Sequence, residues 1–232
     1  MQYTSVSIII QARATSKRFP GKIFERIGGK QILQHVLDAC YNSSSYINKF
    51  TNRHRMVCGV ALAVPMGDAI VSAYPGHNIV QGPEDDVLTR YVQAAGSLNS
   101  DFIVRITADC PFIPPFIISK AIGWAVQDNL DFLTNADPEL RSSPDGYDVE
   151  VISAKLLKWL DENAKEATHR EHVTSYLHKS FPTWARKADI IGFADLTDVK
   201  LSVDTPEDLE RLQDMHVKIV SAIKRSPKSY RL

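Results

Sequence analysis

The chain has 232 residues, with 27 lysines and arginines balanced by 27 aspartates and glutamates. That length fills one α/β domain with a substantial core, and the neutral balance gives no general pull toward nucleic acid or a membrane surface, so any anion site has to be local. No apolar run reaches membrane-spanning length, the N-terminal run ends at Arg13 without signal-peptide features, and Cys40, Cys58 and Cys110 form no Cys-x-x-Cys pair, so the expected setting is the reducing cytoplasm.

In chain order, Ser5 to Gln11 reads as a strand, Gln31 to Tyr41 as an amphipathic helix and Met56 to Val64 as a second apolar strand. The Ser-rich, then basic stretch between them, Asn42 to Arg55, reads as a surface loop. Asn78 to Gln81 is a short strand, Asp85 to Leu98 a helix and Asp101 to Thr107 a β-branched strand. Pro114 or Pro115 opens a helix through Val126, a position that suits proline's fixed φ. Asp131 to Thr134 and Asp148 to Ile152 follow as strands, with helices at Ala154–Asn163 and His169–Ser180. Lys200 to Val203 is a last strand, and Thr205-Pro206-Glu207-Asp208 starts a helix reaching Ile223. Strands alternating with helices predict one domain, 1–232, with a mostly parallel sheet covered on both faces. The Pro, Asp and Ser-rich segment 135–146 is expected to be a substrate lid, and 224–232 a basic tail.

The first strand runs directly into a loop carrying Arg13, Ser16, Arg18 and Lys22. Cations and free backbone N–H groups at the carboxyl end of a strand suit phosphate, yet the loop has neither P-loop nor dinucleotide-fingerprint glycine spacing. Asp109 directly follows the strand ending at Thr107, and Asp204 follows Val203. Two acids at separate strand ends suit one Mg²⁺, which takes few carboxylates plus phosphate oxygens and water. Cation loop and paired acids together fit nucleotidyl transfer better than hydrolysis or redox chemistry.

Ile10-Gln11-Ala12-Arg13 through Ser16-x-Arg18-x-Pro20-Gly21-Lys22 resembles the signature of cytidylyltransferases that activate sugars and sugar acids. The similarity continues in order through Gly82 to Tyr91, Arg105-x-Thr107-x-Asp109-x-Pro111, Gly146 to Glu150, Arg170-Glu171-His172-Val173-Thr174 and Val203 to Leu209. Gln11 replaces the proline of CMP-Kdo synthetases, and Lys17 and Phe19 stand where Thr and Leu are commoner, so the spore-coat-polysaccharide branch is the nearer one. The resemblance implies a Rossmann-like, glycosyltransferase-A-type three-layer sandwich with a mostly parallel mixed sheet, CTP as donor, Mg²⁺, pyrophosphate release and a homodimer. Carried over by position, Gln11, Ala12, Arg13, Ser16, Arg18, Lys22 and Arg105 bind nucleotide, and Asp109 and Asp204 hold Mg²⁺. Arg13, Lys22 and Asp109 carry the catalytic charge work, while Asn135, Asp148, Glu150, Arg170 and His172 are assigned to the acceptor.

Other roles stay open for several of these residues. Asp204 is also placed to N-cap the last helix, and Glu84-Asp85-Asp86 reads as an acidic first turn that complements a helix dipole. No general base is assigned. The alternatives are another nucleotide with a sugar 1-phosphate, and a non-catalytic nucleotide-sugar-binding protein on the same fold.

Overall fold

The computed structural model describes residues 4–50, 56–192 and 194–225. Its main sheet has seven strands: β1 (Thr4–Gln11), β4 (Met56–Pro65), β5 (Asn78–Gly82), β6 (Phe102–Thr107), β7 (Phe132–Thr134), β8 (Glu150–Ser153) and β9 (Lys187–Asp189). They lie in the order β5-β4-β1-β6-β8-β7-β9. All pairings are parallel except those of β8, which runs antiparallel to β6 and β7. A small hairpin, β2 (Arg26–Ile27) with β3 (Lys30–Gln31), stands apart.

The period-two pattern of β1 divides the core. Val6, Ile8 and Ile10 face α1 (Ile32–Phe50) and α4 (Pro115–Gln127), whereas Ile9 faces α3 (Val87–Ser97) and α5 (Ala154–Asn163). Each of these buried side chains contributes about 1.5–3 kcal/mol. The result is the expected α/β three-layer sandwich with a mostly parallel mixed sheet. Ile27, Ile32, Leu201, Val203, Leu209 and Leu212 form a smaller core where α8 (Pro206–Arg225) meets the hairpin. The parallel register places Gln11 beside Ala63 and Thr107, so the loops after β1, β4, β5 and β6 all emerge at one edge. Among the described residues no helix is long and apolar enough to cross a membrane.

Four expectations need correction. The segment from Asn42 is helical as far as Phe50, because Ser43 and Ser44, which suggested a loop, turn their hydroxyls onto the helix itself. Ser43 Oγ donates to the Cys40 carbonyl, and α4 adds a bond from Ser119 Oγ to the Ser43 carbonyl, both at 2.7 Å. Residues 51–55 lie outside the described set. The helix expected over His169–Ser180 is two short pieces, α6 (Ala167–Glu171) and α7 (Tyr176–Lys179), separated at buried Val173, whose φ is 52°. A β-branched residue in that region is strained and stops a helix. Lys200–Val203 forms no strand, only one bridge from Lys200 to Asp145, and the strand expected from Asp148 begins at Glu150. At Gly146 (φ 99°) an added Cβ would lie 2.7 Å from the backbone of Leu201 and Ser202, so glycine permits this junction.

Not expected from the sequence are the hairpin, a 3-10 turn at Lys22–Phe24, α2 (Ile70–Ala73) and β9, whose strands and helices are each four residues or fewer. Segment 135–146 is tied to the chain beyond β9, where Ser142 Oγ accepts from Gly192 N–H, and to itself, where Ser143 Oγ donates to the Asn135 carbonyl. Of the tail, 226–232 lie outside the described residues.

Candidate active site

β1 ends against Ala63, to whose carbonyl Ala12 N–H donates, and the chain then closes a loop through a bond from Gly21 N–H to the Ala14 carbonyl. Gly21, at φ 73°, turns the chain into the 3-10 turn that starts with Lys22. The loop is pinned from outside: Ala14 N–H donates to Asp68 Oδ2 at 2.9 Å and Thr15 Oγ1 to Glu84 Oε1 at 2.7 Å.

This turn sends Lys22 inward, where the residue is 8% exposed. Its Nζ reaches Asp109 Oδ2 at 2.7 Å, the Val203 carbonyl at 2.6 Å and Asp204 Oδ1 at 3.3 Å. One ammonium therefore joins the two acids that lie 95 positions apart in sequence. Val203 N–H, donating to the Asp109 carbonyl at 2.9 Å, fixes the two segments side by side. Arg18 Nη2 adds a contact of 2.7 Å and Lys200 Nζ one of 3.1 Å to Asp204. Burial raises the affinity of Asp204 for a proton, but Lys22 and Lys200 overcome that, and its pKa is lowered overall.

Asp204 does not cap α8. Thr205 does, its Oγ1 accepting from Asp208 N–H at 3.3 Å, and the Asp208 carboxylate accepts in return from the N–H groups of Asp204 and Thr205 at 3.0 and 3.2 Å. This is a capping box with aspartate in the third helical position. Burial opposes the charge on Asp208, yet its bonds to Lys200, Asp204 N–H and Arg211 bring its pKa down to about 2.

A cavity of about 370 Å³ opens over this centre, a size within the range of small-molecule sites. Gln11, Ala12, Arg13, Ser16, Arg18 and Lys22 line one wall, and Asp109 and Asp204 lie in it with Thr107 and Ala108. His172 completes the rim beside Glu171. Seven lining residues were not singled out in the sequence as site residues: Lys17, Ile23, Val87, Arg90, Thr107, Ala108 and Glu171. Arg90 had a visible signal, lying within the Asp-Val-Leu-x-Arg-Tyr segment, but nothing in its spacing shows that the side chain turns toward β1.

The remaining expected residues lie outside that lining. Arg105 is paired with Glu150 across β6 and β8 at 2.6 Å, and Thr174 Oγ1 donates to the same carboxylate at 3.1 Å. Burial disfavours the Arg105 charge, but Glu150 more than compensates and raises its pKa. Arg170 spends its guanidinium on Asp86, Thr89 and Asp161, pinning α6 to the start of α3. Asp86 in turn N-caps α3 through Thr89 N–H. Asn135 bridges the Tyr147 carbonyl and Val149 N–H. Asp148 pairs with Arg141 at 2.6 Å, yet burial, helped by Asp145 and Glu150, pushes its pKa up to about 6. Burial also raises the thiols of Cys40 and Cys110 far above the usual range and that of Cys58 to about 11, as suits packing residues.

A family model described as cytidylyltransferase matches residues 7–226. The chain is 27% identical over 223 residues to spore coat polysaccharide biosynthesis protein SpsF of Bacillus subtilis, covering 92% of this chain and 87% of that protein. It is 29% identical over 150 residues to a 3-deoxy-manno-octulosonate cytidylyltransferase of Geotalea daltonii, a match spanning 63% of this chain and 55% of that enzyme. Among solved structures, a cytidylyltransferase from Leptospira borgpetersenii aligns with a TM-score of 0.80 at 27% identity, covering 96% of this chain and 95% of the other.

Proposed function

This chain belongs to the cytidylyltransferase family, and from that premise we propose that it transfers CMP from CTP to an oxygen of a sugar, sugar acid or similar small acceptor, with Mg²⁺ as cofactor and pyrophosphate as the second product. The strongest support is the meeting of Asp109 and Asp204 at the Lys22 ammonium, at the sheet edge where the Arg13–Arg18 loop also faces the cavity. The donor set suits Mg²⁺. Two carboxylates supply hard oxygens, and among the described residues no cluster of three or more His, Cys, Asp or Glu would complete a protein-only cage. The remaining positions then fall to phosphate oxygens and water.

Bound there, Mg²⁺ would neutralise charge on the phosphates during in-line displacement at phosphorus. Arg13 and Arg18 line the cavity and would donate to the triphosphate, and Ser16 Oγ accepts from Phe19 N–H to hold the loop between them. Lys22, at present spent on three oxygens, is released toward the leaving pyrophosphate when the carboxylates take another partner. Glu171 and His172 also line the cavity and are the residues we assign to the acceptor side. The names of the two relatives, a spore coat polysaccharide biosynthesis protein and a 3-deoxy-manno-octulosonate cytidylyltransferase, support a place in surface-glycan synthesis. A homodimer is the proposed assembly, to be checked by sedimentation.

Calorimetric titration with CTP, UTP, GTP, ATP and dTTP, with and without Mg²⁺, tests the donor. Selective Mg²⁺-CTP binding, followed by pyrophosphate release with sugar acids or sugars, is the expected result. Selective binding of any other triphosphate refutes CTP as donor.

A further inference from the structure

A second cavity, of about 370 Å³, is bounded by the segment after β7, by α7 and the residues that follow it, and by the edge strand β9. It shares no lining residue with the cavity over Asp109 and Asp204. Leu177 and Phe181 give it an apolar wall, and Asp137, Glu139, His178 and Lys187 supply its polar groups.

Asp137 is the buried member, 6% exposed. Its Oδ1 accepts from Glu139 N–H at 3.0 Å. Its Oδ2 faces His178 Nδ1 at 3.6 Å and Lys187 Nζ at 3.7 Å, both too long for a hydrogen bond. Asp189, on the same face of β9 as Lys187, adds another carboxylate, and its Oδ1 is buried with no hydrogen-bond partner among the described residues. Burial raises the pKa of Asp189 and Asp137 adds to the rise, against the opposing effects of Lys187 and His178, so these four groups lie within electrostatic reach of one another.

Three carboxylates, Asp137, Glu139 and Asp189, thus stand against one ammonium, and His178 adds charge only when protonated. Asp137 Oδ2 and Asp189 Oδ1 lack a short donor, and a carboxylate withdrawn from water without one is costly. A ligand that completes this cavity therefore brings positive charge and N–H donors, with an apolar flank for Leu177 and Phe181. A primary ammonium has three donors and no acceptor, and it is also attracted to an aromatic face. We propose that this second cavity binds a small organic amine carried on a compact ring, of the amino-sugar class. Its volume suits a small molecule, and its apolar wall favours a ring over a linear polyamine. Binding there needs no nucleotide, so it stands apart from the CTP reading.

Calorimetric titration of the full chain at neutral pH, without nucleotide or Mg²⁺, compares glucosamine, N-acetylglucosamine, glucose and spermidine. Glucosamine is expected to bind, and N-acetylglucosamine and glucose, which lack the ammonium, to bind about 10- to 150-fold more weakly, the range of one charged hydrogen bond. Asp137→Asn keeps an Oδ1 for Glu139 N–H but removes the charge, and should weaken glucosamine by about the same factor. Asp109→Asn, in the other cavity, should leave glucosamine binding unchanged. Lys187→Met removes the competing ammonium from a half-exposed position; it should tighten glucosamine binding and decides the matter if Asp137→Asn does not fold. No binding of glucosamine, equal affinity for glucosamine and glucose, tighter binding of spermidine than of glucosamine, loss of binding in Asp109→Asn, or no response to the folded Asp137 and Lys187 variants overturns the assignment. None of these outcomes bears on CTP transfer, which the nucleotide titrations test separately.

Discussion

Lys22→Met isolates the electrostatics of the centre without depending on turnover. The substitution keeps a linear side chain of similar reach in an almost buried position, so packing changes little. It removes an ammonium shared by Asp109, Asp204 and the Val203 carbonyl. Breaking a fully buried charge pair costs about 3–5 kcal/mol. Here Asp109 and Asp204 side chains keep 27% and 19% exposure, and Arg18 and Lys200 still contact Asp204, which reduces the loss to about 2–3 kcal/mol. For a domain of this size that lowers Tm by about 4–12 °C.

The pH dependence gives the sharper reading. Asp204 has a lowered pKa in the folded state, so its stabilisation is present above the unfolded value, about 3.9, and is lost as pH falls through the folded one. Without Lys22 the folded value rises toward the unfolded one and that contribution shrinks. Melting curves of the two proteins should therefore lie far apart at pH 7 and draw together below about pH 4. Mg²⁺ added at pH 7 should raise the Tm of the variant more than that of the unmodified protein, because the carboxylates no longer have to release an internal cation. A Tm difference that does not vary with pH, or no Mg²⁺ response in the variant, would refute this account of the centre.

Asp109→Asn removes a proposed metal ligand at nearly constant volume; pyrophosphate release should drop by about 10²- to 10³-fold, and a drop below tenfold argues against that role. Glu150→Ala leaves Arg105 buried without its partner and should cost about 3–5 kcal/mol in chemical denaturation, far more than Glu171→Ala on the exposed rim. Gly146→Ala meets both a positive φ and a backbone contact of 2.7 Å; we expect a loss of about 1–3 kcal/mol or more, read as a lower denaturation midpoint with an unchanged slope. Magnesium removal with a chelator should abolish pyrophosphate release while leaving the circular dichroism spectrum intact, since the Lys22 ammonium already pairs with Asp109 and Asp204.

Strong local signals made much of the protein legible in its amino-acid order. Alternation in Val6–Ile10 set a two-faced strand, the helices at 87–97, 115–127 and 154–163 followed from periodicity and capping residues, and the loop from Arg13 to Lys22 and the acids Asp109 and Asp204 stood out as charge next to strand ends. These depend on neighbours within a few positions, which sequence records directly. Contacts between distant segments were decided by the tertiary structure. It spends Arg105 on Glu150, Arg170 on Asp86 and Asp161, and Asn135 on the chain near Tyr147, and it gives the capping box at α8 to Thr205 and Asp208 rather than Asp204. It also carries Arg90 from the helix into the cavity. A charged residue in sequence has a type but no address; whether it meets substrate, metal or another side chain depends on which buried partner lies across the sheet, and burial makes that partner obligatory.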